Sequence, residues 1–146
     1  MSAAIADVTV SEDAANTVLD LSATFADPHV GRGLVRQDSG DWDGAIREYD
    51  EAIRIDPRCV GAYCDRGNVH RLLKDEKAAV RDYTAAIRAD PKFVVGYANR
   101  GFAYRALGDL KGARSDWEEA LRLAPPDWSQ RKKIEEALGK LGPEPR

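Results

Sequence analysis

Cysteine is scarce in this 146-residue chain. Its two thiols, Cys59 and Cys64, are five positions apart, which suits neither a disulfide framework nor a paired zinc spacing, so they read as reduced structural residues. No apolar run approaches the roughly 18 residues that a membrane span needs, and the first ten residues contain no Lys or Arg to open a secretory signal. The expectation is a cytoplasmic protein with no membrane partner. Basic excess is also missing, since 22 Lys and Arg stand against 25 Asp and Glu for a net charge of -3. A phosphate-dominated nucleic-acid partner is therefore not expected.

Chemical motifs are equally sparse. There is no glycine loop of the phosphate-cradling kind and no H-E-x-x-H. The two histidines, His29 and His70, have no Ser, Cys or carboxylate at a recurring spacing, so they read as part-buried helix residues. Ser39–Gly44 with Asp50 approaches a calcium-loop pattern but lacks its first aspartate and its closing glutamate. The sequence thus predicts no catalytic residue, no metal site and no cofactor, and hence a protein that is not an enzyme.

What is present is a core and a rhythm. Hydrophobic residues make up 43% of the chain, with 3 Trp, 5 Tyr and 3 Phe, enough for a folded domain. Residues 1–25 carry Asp7, Glu12, Asp13 and Asp20 without a base. They read as an acidic arm in which Ser11 could cap a short helix through Leu21. From Ala26 onward a 34-residue shift superimposes Gly33, Gly67 and Gly101; Asp41, Asp75 and Asp109; Ala45, Ala79 and Ala113; Tyr49, Tyr83 and Trp117; Ala52, Ala86 and Ala120; and Pro57, Pro91 and Pro125. Each unit reads as two helices, in the second unit about Tyr63–Leu73 and Lys77–Ala89, with an aspartate at the turn and a proline ending the pair. Glycine at the crossing point lets the helices approach closely.

The resulting pattern, G-x11-A-x3-[YW]-x2-A-x4-P, resembles the tetratricopeptide repeat, whose period is 34 residues. The resemblance covers 26–127 in three units, 26–59, 60–93 and 94–127. It implies an all-α, right-handed solenoid of three helix-turn-helix repeats. Residues 128–142 complete it as a capping helix, with Asp127 and Gln130 as a capping box, Ile134, Leu138 and Leu141 as the buried stripe, Arg131, Lys132, Glu135 and Lys140 on the outer face, and 143–146 as a tail.

One departure from that family stands out: Arg32, Arg66 and Arg100 occupy the position before each glycine, where the family usually has leucine. Each has an acid 16 residues later, Glu48, Asp82 and Asp116, opposite it in an antiparallel hairpin, which predicts three structural ion pairs. In stacked pairs the first helices line a concave groove. Here that lining is predicted to come from Cys64, Asp65, Asn68 and Arg71, then Ala98, Asn99, Phe102 and Arg105, with Lys133 from the cap. The asparagines read as exposed groups that grip a peptide backbone and can be removed without loss of fold, the bases as charge for an acidic or carboxylate-terminated segment, and Phe102 as an apolar contact. The expected function is a protein–protein interaction module, a scaffold or adaptor that binds a peptide or extended segment of another protein. The alternatives are a structural self-associating module, hence a homo-oligomer, and a chaperone-type carboxylate clamp. Against the family's clamp, Asn68 and Asn99 match, Lys133 stands where arginine is expected, and Cys64 and Ser129 occupy the two lysine positions.

Overall fold

The computed structural model describes residues 21–144, and among the described residues there are seven helices and no strand. They are α1 (Leu21–Asp38), α2 (Trp42–Ile55), α3 (Val60–Leu72), α4 (Glu76–Ala89), α5 (Val94–Ala106), α6 (Leu110–Leu123) and α7 (Arg131–Lys140). The short helix expected from Ser11 falls on residues outside this range. α1 runs across residues 25 and 26, where the acidic arm was expected to give way to the first repeat.

The recurring aspartates start the second helix of each pair. Asp41, Asp75 and Asp109 accept hydrogen bonds from the backbone N–H groups of Gly44, Ala78 and Gly112 at 2.9, 3.0 and 2.8 Å, satisfying donors that the first turn leaves free. The residue before each cap has positive φ: Gly40 at 79°, Lys74 at 65° and Gly108 at 81°. The register demands a left-handed residue there, and the middle repeat meets it with lysine. Asp41 is thus engaged with Gly44 and, at 2.8 Å, with Arg36.

Hairpins α1–α2, α3–α4 and α5–α6 stack in chain order, with α2 on α3 and α4 on α5. Each is closed by a glycine under an aromatic ring. A methyl group at Gly67 would lie 2.8 Å from Tyr83 Cε1, and methyls at Gly33 and Gly101 would collide with Tyr49 and Trp117. Those three aromatics are fully buried beside Ala45, Ala79 and Ala113, and the core falls into three clusters of small residues, each around one of these flat rings.

At the C-terminal end α7 buries Ile134 and Ala137 against the α6 surface that holds Trp117 and Ala120. Its start differs from the sequence expectation. Gln130 is the N-cap residue and makes no side-chain capping bond, so Asp127 and Gln130 form no capping box. Arg131 does not join the outer face either. It is half-buried, and its guanidinium donates to the carbonyls of Leu121 and Ala124 at 3.0 and 2.9 Å, finishing α6.

Candidate functional site: the groove across α3, α5 and α7

The three arginines before the glycines lie against their acids. Arg32 Nε is 3.1 Å from Glu48, Arg66 Nη2 is 2.6 Å from Asp82, and Arg100 forms two bonds to Asp116, at 2.7 and 2.8 Å. Burial separates them. Arg32 keeps 52% of its side-chain surface, Arg66 22% and Arg100 16%, while Asp82 and Asp116 keep 7% each. Glu48, Asp82 and Asp116 all follow their arginines in the chain. The structure adds a backward partner: Arg66 also donates to Asp50 at 2.7 Å, and Arg100 to the hydroxyl of Thr84 at 3.1 Å. Asp50 and Thr84 stand 16 residues before their arginines, so the same subtraction would have found them. The histidines join these networks, His29 at 2.8 Å from Glu48 and His70 at 3.6 Å from Asp82. His29 first, and then Arg32, hold the Glu48 carboxyl below the usual carboxylate range.

α3 touches both α1 and α5, and this row of first helices forms the groove. Along α3, Asp65, Asn68 and Arg71 follow one another at one-turn intervals, and Asn99, Phe102 and Arg105 do the same on α5. Two expected lining residues are not available to a ligand: Cys64 is buried, and so is Ala98, whose carbonyl accepts from the Trp117 indole at 3.1 Å. Burial, then the nearby Asp65, pushes the Cys64 thiol up to about 12.

The asparagines are half-buried rather than exposed, and Asn68 has a structural task. The hydroxyl of buried Tyr83 donates to Asn68 Oδ1 at 2.7 Å, and Asn99 Nδ2 donates to the same oxygen at 3.1 Å. Asn68 therefore turns its amide N–H groups, and Asn99 its carbonyl, to further partners. This corrects the expectation that both could be removed without loss of fold. Taking away Asn68 strands a buried phenol, a cost of about 1 to 3 kcal/mol.

Phe102 is also corrected, being only 9% exposed and packed edge-on against Trp117 with centroids 5.0 Å apart. It is the floor of the site. Above it converge three cations: the Arg71 and Arg105 guanidinium carbons at 5.8 and 5.2 Å from the ring centroid and Lys133 Nζ at 5.0 Å. Each gains from the ring quadrupole, and together they form a positive patch brought from three helices. Arg71 alone has an acidic neighbour, with Nε 3.5 Å from Glu76, a residue sequence analysis did not single out. At the opposite end of the α3 row, Asp65 is half-buried and makes no side-chain hydrogen bond or ion pair among the described residues, and burial raises its carboxyl to about 6. A cleft of about 330 Å³ lies elsewhere, between α6 and the C-terminal segment, lined by Leu110, Arg114, Leu141 and Pro143. Among the described residues no helix is long and apolar enough to cross a membrane, and no group of three metal-ligating side chains occurs.

Family models agree with this architecture. One described as TPR repeat matches residues 33–74, and two described as tetratricopeptide repeat match 60–93 and 94–127. A comparison with curated protein sequences finds no match. Among solved structures, the first TPR of Spaghetti (RPAP3), bound to the HSP90 peptide SRMEEVD, is 27% identical with a TM-score of 0.71, over 80% of this chain and 95% of that one. The Arabidopsis OM64 TPR domain is 28% identical with a TM-score of 0.73, over 82% and 98%. PcrH in complex with the chaperone binding region of PopD shares the fold at 18% identity, with a TM-score of 0.75, over 81% and 91%. Three matched repeats, three hairpins and three glycines closed under aromatic rings lead to one conclusion: the chain belongs to the tetratricopeptide repeat family.

Proposed function

We propose that the chain is a non-catalytic protein–protein interaction module whose groove across α3, α5 and α7 takes an extended, acidic or carboxylate-terminated peptide segment of a partner. The observation that carries this reading is the convergence of Arg71, Arg105 and Lys133 over Phe102, next to the two amides of Asn68 and Asn99. Three cations held together with one acidic neighbour favour an anionic visitor, and amides with unused donor and acceptor suit a peptide backbone. The likeness to a domain seen with the acidic peptide SRMEEVD, at 27% identity, supports the same class of ligand. Cys64 and Ser129 stand at the two clamp positions where lysine is expected, so the basic end of a carboxylate clamp is missing from this reading. Charge here comes instead from Arg71, Arg105 and Lys133.

Fluorescence anisotropy with labelled SRMEEVD, and with a version carrying Lys in place of its three acids, tests the proposal. The acidic peptide should bind, and its affinity should fall with salt, since exposed charges are screened over about 10 Å at 0.1 M. Arg105→Ala with Lys133→Ala should weaken it about tenfold, equivalent to about 1.4 kcal/mol. Asn99→Ala removes an amide while leaving the Tyr83–Asn68 bond in place, and should weaken binding without altering helix content. Equal affinity for the acidic and basic peptides would overturn the proposal.

A further inference from the structure

The bases over Phe102 use only one end of the α3 row. At the other end Asp65 is half-buried, on the face it shares with Asn68 and Arg71, and it has no ion pair and no side-chain hydrogen bond among the described residues. The other buried or half-buried acids within the helices contrast with it. Glu48, Asp82 and Asp116 all meet an arginine, and Glu76 meets Arg71. A desolvated carboxylate without a counter-charge is unfavourable to the fold on its own, and the ordinary remedy is a cation close by. Among the described residues no neighbouring helix supplies one. Three titratable groups that feel its charge, Cys64 on its own helix, Tyr49 on α2 and Cys59 before α3, are uncharged at neutral pH, each pushed up first by burial. Arg71 stands six residues further along α3, a rise of about 9 Å, and is turned to Glu76 and the Phe102 ring.

We infer that Asp65 is a specificity-determining residue, which receives a lysine or arginine side chain of the bound segment while the patch over Phe102 receives its acidic group. This rests on the peptide-binding reading above and narrows it from an acidic segment to a bipolar one. The spacing follows from the helix. About 9 Å between Asp65 and Arg71 corresponds to about three residues of extended peptide at roughly 3.3 Å each, so the ligand places a base and an acid three positions apart. The intervening backbone then passes Asn68 and Asn99, whose free donor and acceptor lie between the two charged ends. A uniformly acidic segment would instead set a negative charge against Asp65, and like charges at such distance discriminate by repulsion.

Four acetylated and amidated peptides test this: GGKAAEEGG, its reverse GGEEAAKGG, GGQAAEEGG and the neutral GGQAAQQGG, each titrated into the full chain and into Asp65→Asn and Asp65→Lys. One lysine peptide should bind the native protein about fivefold more tightly than GGQAAEEGG, the scale of one partly desolvated ion pair. That advantage should vanish in Asp65→Asn, and Asp65→Lys should prefer GGQAAEEGG to either lysine peptide. Circular dichroism and thermal melts of both variants confirm that the helices persist. Indistinguishable binding of GGKAAEEGG, GGEEAAKGG and GGQAAEEGG, with all three weakened by Arg105→Ala and Lys133→Ala, would overturn the role of Asp65 and leave the anionic groove standing. Binding of no peptide more tightly than GGQAAQQGG would overturn both.

Discussion

Lys74 occupies the left-handed turn position that its counterparts Gly40 and Gly108 fill with glycine, at φ 65°. A side chain in that conformation costs about 1 kcal/mol, partly offset because glycine loses more freedom on folding. Lys74→Gly should therefore raise stability by about 0.5 kcal/mol, seen as a shift in the denaturant midpoint without a change in slope. Asp65 offers a second test, with an explicit sign. Burial raises its folded value to about 6, above the 3.9 of an unfolded chain, so the folded state holds its proton more tightly and ionisation destabilises it. The penalty is absent below about pH 4, grows as pH rises, and is complete above about pH 6. Asp65→Asn should thus stabilise the free protein by about 1 to 2 kcal/mol at pH 7.5, after allowance for its remaining exposure, and by about half as much at pH 5. Urea titrations at the two pH values check this, and an equal gain at both would refute it. At this scale the sequence was only partly readable. Helical spacing shows which residues share a face, but not how deep each one sits, and Cys64, Phe102 and Asn68 were placed on the right face with the wrong exposure.

The hairpin is the element that repeats, and its arginine–acid pair repeats in graded form. Arg32 is half exposed, whereas Arg100 is mostly covered and forms two bonds to an acid that is 7% exposed. Arg100→Ala should accordingly cost about 3 kcal/mol by leaving Asp116 buried and unpaired, and Arg32→Ala at most about 1 kcal/mol. Chemical denaturation of the two variants decides it, and equal losses would show that burial does not govern the pairs. Turn aspartates and the arginine–acid separation were legible because each occurs three times, so that a 34-residue shift reveals them, whereas α3 begins at Val60, three residues before the expected Tyr63. The cap was less so. α7 occurs once, and without a second copy Arg131 could not be seen to finish α6, nor Gln130 to replace Asp127 at the helix start.

For the molecule as a whole, a stack of hairpins needs a cover at its end, and α7 supplies it with Ile134, Ala137 and the Arg131 bonds. A chain ending at residue 127 would open the α6 surface around Trp117 and Ala120 to water. It should melt at lower temperature and scatter light as it does so; an unchanged melt would show the cover to be dispensable. The two-sided arginines bear on how such a stack comes apart. Arg66 holds Asp82 of its own hairpin and Asp50 of the one before, and Arg100 holds Asp116 and Thr84 in the same way. These bonds add to the packing of α2 on α3 and of α4 on α5, so amide protons in α2, α4 and α6 should exchange with deuterium through one shared opening event. Without Arg66 the link between the first two repeats is weaker, and the first repeat should exchange sooner relative to the rest.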